Sequence, residues 1–278
     1  MIELISLHIP KTAGTSFRNT LTSVYGGRGV VRVDIAGHSH LAAPADCSSD
    51  SGRRIQPAPA GRFPDSFIAP LLNSYWFNYI KWAIWHTISP RRAGASPNLN
   101  PAPPDVLPPE ARVIHGHFRY AHLLEKYELD RNIPVITWLR DPVERVISNY
   151  FYLHKVLHEA MELVNAPLDV LNRMERSLIE YAQLSLNCNR MSKFLKDLDL
   201  SELRFVGIVE HMEEDLSDLA KLLGWPAYET YFHNTGKDRK MMVGQTIRDE
   251  IAEFNRQDVE LYEQALRLRH QRRREIRS

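Results

Sequence analysis

The fold of this chain is decided by the stretch from Ile5 to Phe17, which reads Ile-Ser-Leu-His-Ile-Pro-Lys-Thr-Ala-Gly-Thr-Ser-Phe. An apolar run ends in a loop with one lysine, one glycine and three hydroxyl side chains, and apolar residues at helical spacing begin at Phe17. The pattern predicts a buried strand, a loop and a helix. Backbone N–H groups at the start of a helix converge on one point and bind anions together with the helix dipole. Lys11 adds a positive charge there, so the stretch indicates an anion site.

Strand patterns alternate with helix patterns along the rest of the chain, which predicts an α/β fold with a P-loop-type parallel sheet of about five strands flanked by helices. The further predicted strands are residues 30–35, 112–118, 133–139 and 204–210. The further predicted helices are residues 120–129, a helix from 141, then 168–183, 187–198, 212–223 and 247–268. The length of 278 residues favours a single domain over residues 1–278.

Residues 37–109 interrupt this alternation. Twelve of the seventeen prolines fall there, and proline supports neither a sheet ladder nor a long helix, so we interpret the segment as an insertion after the second strand. An aromatic stretch, residues 71–88, lies inside it and predicts one helix. Packing onto the main domain, a platform for a sugar acceptor and contact with a membrane interface are all compatible with these aromatic side chains.

Composition excludes several classes of protein. A formal net charge of +1 argues against a general nucleic-acid-binding protein. Two cysteines, Cys47 and Cys188, are too few for a disulfide scaffold and favour a reducing compartment, with a pair between them left open. Neither a signal peptide nor an apolar run of bilayer length is visible, so we expect a cytoplasmic protein.

A second candidate anion site follows the strand predicted at residues 133–139. Arg140 ends that strand directly before a helix, where a guanidinium group is well placed to bind phosphate. Asp141 is a good capping residue for the helix, and Pro142 suits its first turn. Asp141, Arg145 and Ser148 share one face of the helix, so we expect that face to point towards a ligand.

The third candidate element is His115-Gly116-His117. Residues two apart on a strand project to the same side, so both imidazoles face together, and glycine between them allows close approach of another chain or a ligand. Histidine is the simplest base for a hydroxyl proton near neutral pH. The alternatives are a buried histidine pair bonded to the backbone, or half of a metal site without recognisable further ligands.

The order of residues in the first loop resembles a known family. The loop reads Pro10, Lys11, Thr12, Ala13, Gly14, Thr15 and Ser16, so its lysine precedes the glycine, whereas the nucleotide triphosphatase loop places lysine after the last glycine. The sequence is similar to the 5′-phosphosulfate loop of sulfotransferases that use 3′-phosphoadenosine 5′-phosphosulfate (PAPS). The closer likeness is to the heparan sulfate 2-O-sulfotransferase branch and its bacterial relatives.

The resemblance implies roles for these residues. Pro10 to Ser16 would hold the phosphosulfate, and Arg140 with Ser148, eight positions on, would bind the 3′-phosphate. The histidine segment looks like the one that supplies the catalytic base, which we assign to His117 with His115 as helper and acceptor contact, although which of the two is the base stays open. The resemblance implies no metal. Eukaryotic members are Golgi proteins with an amino-terminal membrane span, so the sequence predicts a bacterial-type enzyme, or a Golgi enzyme only if the chain is shortened.

Two weaker matches complete the predicted site. Asn234 and Thr235 resemble the start of the loop that closes over the donor's adenine, and Glu210 is expected to orient a base or contact the acceptor. The predicted function is therefore transfer of a sulfuryl group from PAPS to an acceptor hydroxyl, with a glycan favoured and 3′-phosphoadenosine 5′-phosphate (PAP) as the product. The alternatives are a P-loop kinase or nucleotide hydrolase, and a non-catalytic glycan- or membrane-binding module. The acceptor and the oligomeric state stay open.

Overall fold

The structure is a computed structural model that describes residues 1–35, 103–163, 176–231 and 243–277, with side chains described to residue 155 in the second range and to residue 275 in the last. Most of the predicted insertion therefore lies outside the described residues, as do Cys47, Asn234 and Thr235.

Five parallel strands form one sheet in the order β2-β3-β1-β4-β5. The strands are β1 Leu4–Leu7, β2 Val30–Arg32, β3 Val113–Gly116, β4 Val135–Leu139 and β5 Phe205–Ile208. Helices flank the sheet, so the predicted α/β class and strand number are confirmed. The central strand β1 is buried at every position because neighbours and helices cover it, which explains its uninterrupted apolar pattern.

The helices follow the predicted order, and residues 168–175 of one predicted helix lie outside the described residues. They are α1 Gly14–Tyr25, α2 Tyr120–Lys126, α3 Pro142–Leu163, α4 Leu178–Ala182, α5 Arg190–Phe194, α6 Met212–Leu223, α7 Gln245–Phe254 and α8 Arg256–Arg277. Short 3-10 turns occupy Leu200–Glu202 and Val209–His211. No helix in the described part of the chain is both long enough and apolar enough to cross a lipid bilayer.

The predicted terminal helix is interrupted at Asn255. The Asn255 side chain donates to the Ile251 carbonyl (2.8 Å) and accepts from the Asn189 N–H (3.0 Å), so it ends α7. In return, the Asn189 side chain accepts from the N–H groups of Gln257 and Asp258 at the start of α8 (3.1 and 3.3 Å). This exchange of caps joins two segments 66 residues apart, so no local pattern could have predicted it.

The chain divides into two compact units. The first comprises Met1–Gly37, Ala102–Val146 and Asn189–Ser278 and contains the whole sheet; its core includes Leu4, Phe17, Leu21, Trp138, Phe205 and Leu219. The second comprises His38–Pro101 and Ile147–Cys188. In its described part, the Tyr150 hydroxyl donates to the Arg176 carbonyl (2.9 Å), and a Ser177–Glu180 capping box starts α4. The single-domain organisation stays a prediction.

Candidate active site

The predicted site residues gather at one edge of the sheet. Because all five strands are parallel, their carboxyl ends lie at the same edge, where open α/β sheets bind ligands. Lys11 follows β1, His117 follows β3 and Arg140 follows β4. Asp34 follows β2 and Glu210 follows β5. The strand order therefore brings together residues that are up to about 200 positions apart.

The loop between β1 and α1 has a tight and strained backbone. The hydroxyl of Thr12 donates to the Ile9 carbonyl (2.9 Å), and the Thr12 N–H contacts the same oxygen at 3.3 Å, which closes the turn. Lys11 and Ala13 have positive φ angles of 72° and 59°, a conformation that costs energy for residues other than glycine and is concentrated at functional sites.

Helix α1 begins without a side-chain cap. Ala13 occupies the capping position and has no side chain that could accept from the first N–H groups of the helix. Those donors and the half-buried Lys11 make the loop suitable for an anion. The other predicted loop residues differ in exposure: Thr12, Gly14 and Ser16 are buried, Pro10 and Ala13 are half-buried, and Thr15 is exposed.

Gly14 is required by a close approach of His8. A Cβ atom added at Gly14 would lie 1.9 Å from the imidazole of His8, far inside van der Waals contact. The side chain at the end of β1 therefore packs directly against the start of α1. Because the first turn of α1 carries the anion-binding donors, the His8 ring sets the position of that turn.

Arg140 lies beside the same loop. Its Nη1 donates to the carbonyl of Lys11 (3.1 Å), so the two predicted cationic sites are adjacent. The Arg140 side chain is only 13% exposed, and within the described part of the chain its buried Nε has no hydrogen-bond partner. Burial lowers the pKa of Arg140, and the nearby carboxylates of Glu210, Glu144 and Asp141 oppose that shift.

The start of α3 is capped as predicted, since the carboxylate of Asp141 accepts from the Glu144 N–H (2.9 Å). The expectation for the face shared by Asp141, Arg145 and Ser148 fails at Arg145. That side chain is fully buried with its Nε 4.0 Å from the buried Asp258 carboxylate, so it faces the protein interior. Ser148 is half-buried in the second unit, and its contact with a phosphate stays a prediction.

The geometry determines which nitrogen of His117 can act as a base. Its Nδ1 lies 2.8 Å from the backbone oxygen of His8. A carbonyl oxygen only accepts hydrogen bonds, so the neutral ring carries its proton on Nδ1 and keeps a lone pair on Nε2. Burial lowers the pKa of His117, and the Asp34 carboxylate opposes the shift. His117 is therefore neutral, and able to accept a proton, near pH 7.

His115 is a buried supporting residue. It is 3% exposed, its Nδ1 lies 2.9 Å from the Ser6 hydroxyl oxygen, and it also bonds to the backbone of Gly14. Burial lowers its pKa to about 3, so it is neutral at physiological pH. These contacts fit the helper role and the interpretation of a buried histidine satisfied by its surroundings, and the predicted contact of His115 with an acceptor stays a prediction.

Two further residues hold the histidines in place and were not predicted. The ring of His8 lies 5.4 Å from that of His115 and 4.5 Å from that of His117, centroid to centroid. The Asp34 carboxylate accepts from the His117 N–H (2.9 Å) and from Arg32 Nε (2.8 Å). The sequence did contain a signal, because each residue lies near the carboxyl end of a predicted strand, at the ligand-binding edge.

Comparisons with known proteins identify the family of this chain. The model of the sulfotransferase family matches residues 2–265. This chain belongs to the sulfotransferase family. Two solved structures are similar: a sulfotransferase from Alicyclobacillus acidocaldarius (15% identity, 93% of each chain covered, TM-score 0.39) and the sulfotransferase domain from the curacin biosynthetic pathway (14% identity, 90% of this chain and 82% of that chain, TM-score 0.32). No curated protein matches the chain significantly.

In this sulfotransferase, Glu210 is separated from the histidines. Strand β5 and strand β3 are three strand spacings apart in the sheet, about 14 Å. Glu210 instead contacts the Arg140 side of the site, with Oε1 3.9 Å from Arg140 Nε and Oε2 accepting from the Tyr262 hydroxyl (3.0 Å). Strand order thus places Glu210 away from the histidines, and its contact with an acceptor stays a prediction.

Helix α5 covers the histidines of the sulfotransferase from another side. The ring of Phe194 lies 6.4 Å from that of His117. The short helix is held by the buried carboxylate of Asp258, which accepts from the N–H groups of Met191 and Ser192 (3.0 and 2.8 Å). Asp258 lies 66 residues or more from these partners and gives no local sequence signal.

The metal alternative for the histidines has no support in the described residues. Among residues 1–35, 103–155, 176–231 and 243–275, no group of three or more histidine, cysteine, aspartate or glutamate side chains is arranged to hold a metal ion. The candidate site thus has a cationic side, formed by the first loop and Arg140, and a neutral side formed by three imidazole rings.

Proposed function

We propose that this sulfotransferase takes its sulfuryl group from PAPS and transfers it to a hydroxyl group of a glycan, as implied by its resemblance to the heparan sulfate 2-O-sulfotransferase branch. The observation that carries the proposal is the contact between Arg140 and the Lys11 carbonyl (3.1 Å). A donor with anionic groups at both ends of its ribose needs two cationic sites close together. Adjacent strands β1 and β4 supply them.

The residues present fit the two ends of PAPS. The start of α1, which has no side-chain cap, and Lys11 fit the 5′-phosphosulfate, and Gly14 allows the His8 ring to pack against this turn because it carries no side chain. The unsatisfied Nε of Arg140 is a donor that a 3′-phosphate would satisfy. Ser148, Asn234 and Thr235 are assigned to the donor by resemblance alone.

His117 is the proposed base. When bound, PAPS supplies an activated sulfuryl group whose leaving oxygen belongs to a phosphate. The Nε2 atom of His117 accepts the proton of the acceptor hydroxyl, while the His8 carbonyl holds Nδ1–H and keeps the ring in place. Lys11 and the first N–H groups of α1 stabilise negative charge on the departing phosphate oxygen. His115 supports this arrangement through its contacts with Ser6 and Gly14. The resemblance implies that no metal is needed.

The position of His117 also indicates where the acceptor enters. His117 lies at the end of β3, on the opposite side of the central β1 from Arg140. Lys11 and Arg140 would hold the donor at β1 and β4, and the acceptor would then approach on the β3 side. On this side of the sheet, the N–H of Ile35 donates to the His117 carbonyl (2.9 Å).

The test combines ligand binding with transfer. PAP should raise the melting temperature by about 5 °C or more at 100 times its Kd, because a ligand at that concentration adds about 2.7 kcal/mol of stability. ATP with Mg²⁺ should give no such shift. Sulfate transfer from labelled PAPS to glycans, lipids and phenols then identifies the acceptor class. Stabilisation by ATP with Mg²⁺ but not by PAP would refute the proposed donor and favour the kinase or hydrolase alternative.

A further inference from the structure

The carboxylate of Glu210 lies where an anion bound to Arg140 would lie. Its Oε1 accepts from the backbone N–H of Asp141 (3.2 Å) and is 3.9 Å from Arg140 Nε. Its Oε2 accepts from the Tyr262 hydroxyl (3.0 Å). Glu210 thus already contacts a guanidinium group and a backbone donor at the start of a helix, the two kinds of group that bind phosphate.

The contact between Glu210 and Arg140 is incomplete. At 3.9 Å the carboxylate is an ion-pair partner but not a hydrogen-bond partner of Arg140 Nε, which stays unsatisfied within the described part of the chain. The Glu210 side chain is 32% exposed, so it can turn towards solvent, whereas Arg140 is 13% exposed and is held by the Lys11 carbonyl. An incoming dianion can therefore replace Glu210 without moving Arg140.

We propose that Glu210 is an internal substitute for the 3′-phosphate of the donor. Its carboxylate occupies Arg140 and the start of α3 in the absence of the donor, and it competes with the 3′-phosphate for these two groups when the donor binds. The inference rests on the proposed function. A carboxylate beside a bound phosphate raises the free energy of the complex through like-charge repulsion. Glu210 therefore weakens the binding of nucleotides with a 3′-phosphate and speeds the release of PAP.

Tyr262 is the second part of this device. Burial raises the pKa of its hydroxyl, and the adjacent Glu210 carboxylate acts in the same direction, so the phenol stays protonated and donates to Glu210. This hydrogen bond stabilises Glu210 in the position that competes with the donor. Removing the hydroxyl should favour the turned-out position of Glu210 and weaken the competition only in part.

The test is calorimetric titration of wild type, Glu210→Gln and Tyr262→Phe with PAP and with adenosine 5′-monophosphate, which lacks the 3′-phosphate. Glu210→Gln should bind PAP about 10-fold more tightly, because the repulsion between the carboxylate and the 3′-phosphate is removed. Tyr262→Phe should bind PAP about 3-fold more tightly, because the hydrogen bond that holds Glu210 in the competing position is removed. The affinity for adenosine 5′-monophosphate should stay the same. Glu213→Gln is the matched control, since it removes an exposed carboxylate in the first turn of α6, near the same end of β5.

The outcomes separate this inference from the proposed function. Weaker or unchanged PAP binding in Glu210→Gln, or an equal change for both nucleotides, overturns the inference while leaving PAPS as the donor. An equal gain in Glu213→Gln also overturns it, because the effect would then be one of net charge. A wild-type protein that binds no PAP at all overturns the proposed donor and the inference with it. Tyr262→Phe gives the answer if Glu210→Gln does not fold.

Discussion

The donor side and the base side of the active site lie at one sheet edge but are built differently. The proposed donor side is a contiguous loop with positive φ angles that leads into a helix without a side-chain cap, and Lys11 and Arg140 complete it. The proposed base side consists of the imidazoles of His8, His115 and His117, which lie on or directly after β1 and β3 and are kept neutral by burial. In the proposed mechanism, positive charge attracts the donor on one side, and neutral imidazoles provide a base on the other. Binding and turnover should therefore be separable by mutation.

The largest effect is expected for His117→Ala. Loss of a general base costs about 10³-fold in kcat, whereas the Kd for PAP should change by less than about 2-fold, because His117 does not touch the donor side. The measurements are the rate of sulfate transfer and the calorimetric Kd. His270→Ala, at an exposed position on α8, is the control. An equal loss of PAP binding in His117→Ala would show that the two sides are not separate.

Lys11→Ala should affect both quantities. In the proposed mechanism the lysine binds the donor and stabilises charge on the leaving oxygen, so kcat should fall about 10²-fold and PAP binding should weaken by about 10-fold. Transfer at the wild-type rate would contradict the mechanism. For each variant, the fold loss in kcat is divided by the fold loss in affinity for PAP. A much larger ratio for His117→Ala than for Lys11→Ala would support the division between the two sides.

A steric test probes the point where the two sides meet. Gly14→Ala would place a Cβ 1.9 Å from the His8 ring and displace the first turn of α1, so transfer should fall about 10²-fold. His8→Ala removes the obstacle while its backbone carbonyl still holds His117. The double variant should therefore recover most of the activity lost in Gly14→Ala. No recovery would mean that Gly14 is needed for a reason other than contact with His8.

The smallest effect is expected on stability as a function of pH. His8, His115 and His117 have pKa values in the folded protein below the ordinary 6.5, chiefly because of burial. Between the folded and unfolded pKa values the unfolded chain binds more protons, so stability is full above pH 6.5 and decreases as the pH falls. For His115, with a folded pKa of about 3, the loss at pH 5.5 is about 1.4 kcal/mol.

Urea unfolding between pH 7.5 and 5.5 measures this loss above the range in which carboxylates titrate. His115→Gln should show a smaller slope with pH than wild type, although it starts from a lower stability. Identical slopes would contradict the conclusion that His115 is buried in its neutral form.

Local sequence patterns determined four features of this protein: the loop before α1, the cap at Asp141, the pair His115 and His117, and the five-stranded α/β architecture. Each of these features depends on neighbouring residues or on regular spacing along the chain, and could therefore be predicted without knowledge of tertiary contacts. Resemblance added PAPS and the pairing of Arg140 with Ser148. Most of the Pro-rich insertion lies outside the described residues, and the role of this segment stays a prediction.

Only the tertiary structure decided which residues meet. Strand order placed Glu210 with Arg140 and away from His117, and it brought Asp34 to the histidines. Packing placed His8 against Gly14 and turned Arg145 inward to Asp258. The backbone carbonyl of His8, directly after β1, determines that the neutral His117 ring carries its proton on Nδ1. These contacts join residues that are distant along the chain, and their free energies depend on burial and geometry that exist only once the sheet has formed.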